Sequence, residues 1–268
     1  MAEPDYLALA KTRAHTPSRK RSFRRIAVYA RNKKGKTRLG LTAGRDNILF
    51  VDPEAGTDLM KNLDPFVWPL NQWADTQEVY GALRTGKLSP NHIIQGESST
   101  PFSWVCVDGL TKMNNMALSY VRSVEEQRNL DRIPGLIHQR DYGKSGNLMN
   151  QMILNFCALK MNVYFTMQEK MLTDGWTSDD DDDADAPDAF YVPDLPNAVR
   201  SMINSQAEVI GRLYVVTIEG KNGPVKQRRL QIGLHEKYDT GFRSDFALPD
   251  MIKRPSLPKL AALMETGE

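Results

Sequence analysis

The chain has 268 residues, 41% hydrophobic and 25% charged, with a formal net charge of +2. This is the composition of a globular protein with one sizeable core. No apolar run approaches the roughly 20 residues of a membrane span, and the first residues lack the apolar segment of a signal peptide. With two cysteines and four histidines, none closely spaced, a zinc site is unsupported. We therefore expect a soluble, cytoplasmic protein with buried free thiols.

Charge is unevenly distributed along the chain. The interval Lys11–Arg25 holds seven cations and no acid, whereas Asp179–Asp183 is an unbroken acidic run. Blocks of like charge are usually solvated and often serve as interaction segments. We predict a flexible basic arm at residues 1–24 and one folded domain at 25–268, interrupted by a disordered acidic loop at 173–190.

The first predicted elements are a strand at Ile26–Ala30 and, after a loop, a helix from about Gly35 to Ala43 that Gly44 ends. The next, Asn47–Val51, is a continuous apolar run typical of a parallel strand buried on both faces. Further strands are predicted at Phe66–Leu70, Trp104–Asp108 and Asn162–Gln168, and helices at Trp73–Arg84, Lys112–Leu130 and Asn147–Lys160.

The intervals 86–101 and 131–146 are rich in turn residues and are expected to be irregular. Late in the chain, Val209–Glu219 and Val225–Gly233 are predicted to pair as a hairpin joined at Gly220–Gly223. Strands that alternate with helices and end in a hairpin indicate an α/β fold. Its central sheet is mostly parallel, flanked by helices, with an antiparallel edge.

The segment Ile26–Thr37 approaches the phosphate-loop pattern Gly-x-x-x-x-Gly-Lys-Ser/Thr, with Ala30 in the place of the first glycine. Backbone N–H groups of such a loop wrap phosphates, and the following helix adds its positive end. Lys36 is expected to reach the β- and γ-phosphates and Thr37 to hold Mg²⁺. A lysine-rich surface turn is the alternative. The predicted nucleotide-binding residues are Asn32, Lys33, Lys34, Gly35, Lys36 and Thr37.

Three polar residues lie at or just after the ends of three other predicted strands. Glu54 comes after Asn47–Val51, where a carboxylate can polarise the attacking water, and Asp52 competes for that role. Asp108 ends a strand, where it can hold Mg²⁺ or act as an ordinary helix N-cap. Gln168 ends another, and its carboxamide can touch a γ-phosphate or its water. The alternative for Gln168 is a polar strand end without a role. Glu54, Lys36 and Gln168 form the predicted catalytic set.

The order of these motifs resembles the RecA-like P-loop ATPases, and most of all the phage-encoded RecA-fold single-strand-annealing recombinases. The resemblance spans residues 25–172. In it, Ile48–Gly56 corresponds to the strand followed by the catalytic glutamate, and Val105–Asp108 to the strand that binds Mg²⁺. Tyr164–Lys170 corresponds to the strand whose glutamine couples ATP to a DNA-binding loop.

Leu234–Arg243, followed by Leu248–Pro249, resembles the late basic segment of the same family. In RecA-like assemblies such cations reach the ATP of the neighbouring subunit, as an arginine finger does. Lys237 and Arg243 are the candidates here. Solvated loop cations are the alternative.

The segment after Gln168 departs from the family, because in RecA it is a DNA-binding loop and here it is acidic. Its aspartates would repel phosphates. DNA is then expected elsewhere, for example on the basic arm with Phe23 available to stack, or else the segment shields the site or recruits a basic partner.

The resemblance implies an oligomeric ATPase with ATP and Mg²⁺ as cofactors, which binds single-stranded DNA and promotes annealing or strand exchange. Its expected partners are single-stranded DNA, further copies of the chain with ATP between subunits, and a single-strand-binding protein, with no membrane. The expected location is the cytoplasm, that of the host if the protein is phage-encoded. The alternative is a nucleotide-dependent adaptor with weak turnover that recruits a partner through its acidic loop. A helicase or packaging motor ranks lower, because no room remains for an additional domain.

Overall fold

The computed structural model describes residues 5–14, 23–172, 189–221 and 223–267. Residues 173–188 of the predicted acidic loop, and residues 1–4 and 15–22 of the predicted basic arm, lie outside the described residues. Within the arm, Tyr6–Arg13 is a helix, α1, where the sequence predicted flexible chain. Among the described residues, no helix combines the length and apolarity needed to cross a membrane.

The fold contains ten strands within the described residues. They are β1 (Arg25–Ala30), β2 (Ile48–Asp52), β3 (Phe66–Pro69), β4 (Trp104–Asp108), β5 (Asn162–Leu172), β6 (Phe190–Pro193), β7 (Val209–Gly220), β8 (Gly223–Gln231), β9 (Gly241–Phe242) and β10 (Met251–Lys253). The helices after α1 are α2 (Lys36–Gly40), α3 (Asp75–Arg84), α4 (Pro90–Gln95), α5 (Leu110–Arg128), α6 (Gln139–Cys157), α7 (Asn197–Gln206) and α8 (Leu257–Thr266). Short 3₁₀ segments occupy Leu41–Ala43, Arg45–Asn47 and Gly56–Leu63.

One sheet organises these elements, with strand order β10-β8-β7-β1-β5-β4-β2-β3. Neighbours from β7 to β3 pair in parallel, whereas β8 and β10 add an antiparallel edge. Helices α3, α5, α6 and α7 pack on one face, and α2 and α8 pack on the other. The predicted α/β fold with a mostly parallel sheet and a late hairpin is confirmed.

The apolar runs of the sequence become the centre of the sheet because both faces are covered. Every residue of β2 and β4 is buried, as are the last five of β1. A parallel strand covered by helices on both sides requires such a run.

Strand order brings the predicted site residues to one edge of the sheet. β5 lies between β1 and β4. In the register, Ala30 is opposite Gln168, and Asp108 is opposite Thr166. The phosphate loop, Asp108 at the end of β4, and Gln168 in β5 therefore lie side by side.

Two intervals that were predicted to be irregular contain helices. Helix α4 forms within 86–101, because Ser89 caps its first turn and Pro90 occupies an early helical position. Helix α6 begins at Gln139, eight residues before the predicted start at Asn147. Its first turn is held by buried Asp141, which accepts a hydrogen bond from the His138 N–H at 2.9 Å.

A substitution of Leu49 tests the burial of β2 between β3 and β4. It is fully buried between Phe66 of β3 and Val105 of β4. Leu49→Ala should lower the free energy of unfolding by about 2–5 kcal/mol in urea denaturation, through lost burial and the cavity left behind. Leu130→Ala is the matched control, because Leu130 is 92% exposed, and it should change stability by about 0.5 kcal/mol or less. Similar losses in both variants would contradict this packing.

Both cysteines are free and buried, as the sequence predicts. Burial raises the pKa of Cys157 to about 11, although the nearby Arg25 lowers it, and burial also raises the pKa of Cys106. Because the thiolate is the reactive form, a disulfide reagent at about pH 8 should label neither thiol in the native protein and both after denaturation. Labelling of Cys157 should accelerate as the pH approaches its pKa. Fast native labelling near neutral pH would contradict the burial.

Candidate active site

The loop between β1 and α2 takes a conformation that its sequence explains. Lys33 and Gly35 have positive φ angles of 63° and 98°, and this region favours glycine. A side chain at Gly35 would also meet Arg228, whose Nε lies 2.5 Å from the position of a Cβ atom. Ala30, by contrast, is the last residue of β1, fully buried in the core and without a positive φ. Alanine in the place of the first glycine is therefore accommodated without backbone strain.

Lys36 lies at the centre of the site, buried at 9% exposure. Its ammonium donates to the carbonyl of Ala30 at 3.0 Å, to that of Arg31 at 3.4 Å and to Gln168 Oε1 at 3.2 Å. Burial lowers the pKa of Lys36, whereas the negative charge of Asp108 acts in the opposite direction. All three acceptors are neutral, so an anionic ligand would supply the countercharge that a buried ammonium needs.

Alternate residues of β5 contact the loop and its neighbours. The Tyr164 hydroxyl donates to the Lys36 carbonyl at 3.0 Å, and Thr166 Oγ1 donates to Asp108 Oδ1 at 2.5 Å. Two residues on, Gln168 accepts from Lys36. Because side chains alternate along a strand, the three share one face. The sequence prediction identified Gln168 but missed Tyr164 and Thr166, which the alternation could have indicated.

Asp108 is buried next to the first residues of α2. Burial raises its pKa, whereas hydrogen bonds from the hydroxyls of Thr166 and Thr37 lower it. A hydroxyl and a carboxylate are the hard oxygen ligands that Mg²⁺ prefers, and the cation would offset the cost of a buried charge. In the described part of the chain, no cluster of three acidic, histidine or cysteine residues could enclose a metal. The site thus fits a Mg²⁺ held by one or two protein ligands and a bound phosphate.

The turn after β2 carries Glu54 to the mouth of the site. Asp52, the competing candidate, is buried, and its carboxylate accepts from the Glu54 N–H at 2.8 Å and from both the N–H and hydroxyl of Thr57. Asp52 is therefore occupied in shaping the turn. Glu54 is exposed, and its Oε1 lies 2.8 Å from the position of a Cβ atom on Gly109. Desolvation in the cleft and the charge of Asp108 raise the pKa of Glu54, whereas Lys36 lowers it.

These residues surround one cleft of about 790 Å³. It brings together most of the residues predicted from the sequence, but Lys34 does not line it. The cleft is lined by Asn32, Lys33, Gly35, Lys36, Thr37, Arg38, Glu54, Gly56, Met60, Asn62, Leu63, Asp108, Gly109, Thr166, Met167, Gln168 and Arg228.

The charges of the lining favour a polyphosphate. Four of the lining residues are cations, Lys33, Lys36, Arg38 and Arg228, whereas two are acids, Glu54 and Asp108. Such a cleft raises the local concentration of anions. Arg38 and Arg228 were missed by the sequence prediction. Arg228 contacts the loop from 194 residues along the chain, a separation that leaves no local signal.

Lys237 and Arg243 lie outside this cleft. The Lys237 N–H donates to His235 Nδ1 and its carbonyl accepts from the Tyr191 N–H. Arg243 follows β9, which pairs with the start of β7, and its guanidinium donates to the Ser205 carbonyl at 3.0 Å. That position is at the opposite end of β1 from the phosphate loop. A contact of either cation with nucleotide would have to come from a neighbouring subunit and stays a prediction.

Comparison with known proteins agrees with this geometry. No curated protein matches the chain. A family model described as an AAA domain matches residues 22–244, which is most of the chain and includes every residue of the cleft. The strand–loop–helix at Lys36 and the mostly parallel sheet are those of a nucleotide-binding P-loop domain. The chain therefore belongs to the AAA domain family of P-loop nucleoside triphosphatases.

Proposed function

We propose that the protein is a Mg²⁺-dependent ATPase that binds single-stranded DNA and promotes annealing or strand exchange as an oligomer. The observation that carries the enzymatic part is the convergence of Lys36, Thr37, Glu54, Asp108 and Gln168 on one cleft. These residue types are those that position and stabilise a transferring phosphoryl group.

Each residue has a role that follows from its surroundings. Lys36 binds the β- and γ-phosphates, which supply the countercharge that its neutral acceptors lack. Thr37 and Asp108 hold Mg²⁺, which neutralises charge on the phosphates when bound. Glu54 accepts the proton of the attacking water, and its raised pKa makes it a stronger base than an ordinary glutamate.

Gln168 supports a link between nucleotide and DNA. It touches Lys36, and its strand continues to Leu172, where β5 pairs with β6. In the RecA-like family the residues that follow form the DNA-binding loop; here they are acidic, so the DNA contact itself is assigned to the basic arm. A γ-phosphate that draws the Lys36 ammonium away from Gln168 would release the Gln168 carboxamide, which lies directly before the residues of β5 that pair with β6.

The DNA part of the proposal rests on the RecA-like order of motifs and on the cations of the amino-terminal arm. Lys11 and Arg13 are exposed on α1. Cations of this kind give salt-dependent binding to nucleic-acid phosphates. Lys237 or Arg243 of a neighbouring copy would complete the site in an assembly.

Two features would favour the adaptor alternative, namely Ala30 in the place of the first glycine and the acidic segment. Ala30 sits in strand conformation with its methyl group in the core, so it gives no reason to expect weak turnover. The acidic segment is compatible with either function. We therefore favour the ATPase.

The deciding experiment measures phosphate release with and without single-stranded DNA. The wild type should hydrolyse ATP faster when DNA is present, and Lys36→Ala should abolish both rates, because the phosphates lose their main cation. Lys34→Ala is the control, since the Lys34 side chain does not line the cleft, and it should retain most activity. An equal hydrolysis rate with and without DNA would contradict the recombination role. ATP binding without hydrolysis would favour the adaptor.

Glu54→Gln separates binding from turnover. The variant should bind ATP as the wild type does, whereas its hydrolysis rate should fall by about 10²-fold or more, because the amide cannot accept the proton of water. Asp52→Asn should instead lower stability, through the turn that Asp52 holds. If Asp52→Asn abolished hydrolysis in a stable protein while Glu54→Gln remained active, the assignment of the base would be wrong.

A further inference from the structure

Arg228 reaches the phosphate loop from the antiparallel edge of the sheet. It lies on β8, opposite Val215 of β7, and its Nε donates to the Lys34 carbonyl at 3.2 Å. Its guanidinium covers Gly35, where the position of a Cβ atom would be 3.1 Å from both Cζ and Nη2. Arg228 also lines the cleft. A cation of the same chain is thus held against the loop that binds phosphate.

The guanidinium has donors that no described residue uses. Within the described ranges, the bond to Lys34 is the one hydrogen bond of Arg228, and no carboxylate pairs with it. Two other arginines differ, because Arg212 pairs with Glu169 at 2.6 Å and Arg132 with Asp141 at 2.5 Å. A guanidinium has five donors in a planar fork. The Nη groups of Arg228 therefore remain available to an anion in the cleft.

We propose that Arg228 binds the phosphate chain of the nucleotide in the same subunit. This inference rests on the proposed nucleotide site. One edge of the guanidinium holds the Lys34 carbonyl, which fixes the loop, and the Nη groups donate to phosphate oxygens. Arginine suits this double role because its rigid fork serves two acceptors at once, whereas a lysine ammonium acts as a point charge. The β7–β8 hairpin is thereby part of the nucleotide site.

The test measures the affinity of a fluorescent ATP analogue for the wild type and five variants. Arg228→Ala should weaken binding by about tenfold or more, the value of a charge-assisted hydrogen bond. Lys226→Ala is the matched control, because Lys226 is an exposed cation two residues away on the same face of β8, and it should bind as the wild type does. Lys36→Ala reports on the site itself and should lose binding.

Two conservative variants separate a phosphate contact from a loop support. Arg228→Gln keeps a donor for the Lys34 carbonyl but removes the charge, whereas Arg228→Lys keeps the charge. If Arg228 contacts phosphate, Arg228→Lys should bind the analogue more tightly than Arg228→Ala, whereas Arg228→Gln should bind it as weakly as Arg228→Ala. If Arg228→Ala or Arg228→Gln bound the analogue with full affinity, the inference would be overturned. A loss of binding in Lys36→Ala would in that case still support the nucleotide site. If neither Arg228→Ala nor Lys36→Ala lost affinity, both the inference and the proposed nucleotide site would be overturned.

Discussion

The site depends on one buried charge. The Lys36 ammonium is removed from water and held by neutral oxygens alone, from the carbonyls of Ala30 and Arg31 and the carboxamide of Gln168. Such an arrangement is tolerable in a protein that receives an anion there, and costly otherwise. The loop, the start of α2 and Gln168 of β5 therefore surround a single amine.

The sheet is what makes this arrangement possible. With β5 between β1 and β4, one strand contacts both the phosphate loop and the carboxylate of Asp108. Lys36, Asp108 and Gln168 are far apart in the chain. Asp108 ends β4, Gln168 is the last residue of β5 that pairs in parallel with β1, and Lys36 follows the loop after β1, so all three lie at one edge of the parallel sheet. The proximity of these site residues therefore depends on the strand order as well as on the residue types.

The central strands could be predicted because burial on both faces demands apolar runs. Eight of the residues that line the cleft could also be predicted, because the phosphate-loop pattern marks five of them and the polar residues Glu54, Asp108 and Gln168 stand out at or near the ends of apolar runs. The sequence predicts a start of helix α6 that is eight residues too late, because Gly143 and Gly146 indicate a loop and the contact of Asp141 has no local sequence signal. Thr166 could have been found by strand alternation. Arg228 could not, because its contact joins residues 194 positions apart, and no local pattern records such a separation.

Gly109 adds a constraint that couples two positions of the chain. Its φ of 124° and the closeness of Glu54 Oε1 exclude a larger residue unless the glutamate moves. The Glu54 carboxylate therefore lies against the backbone of Gly109, where a side chain would occupy its space. A side chain at position 109 would therefore push the Glu54 carboxylate away from its present place, so a substitution there would act on the site through Glu54.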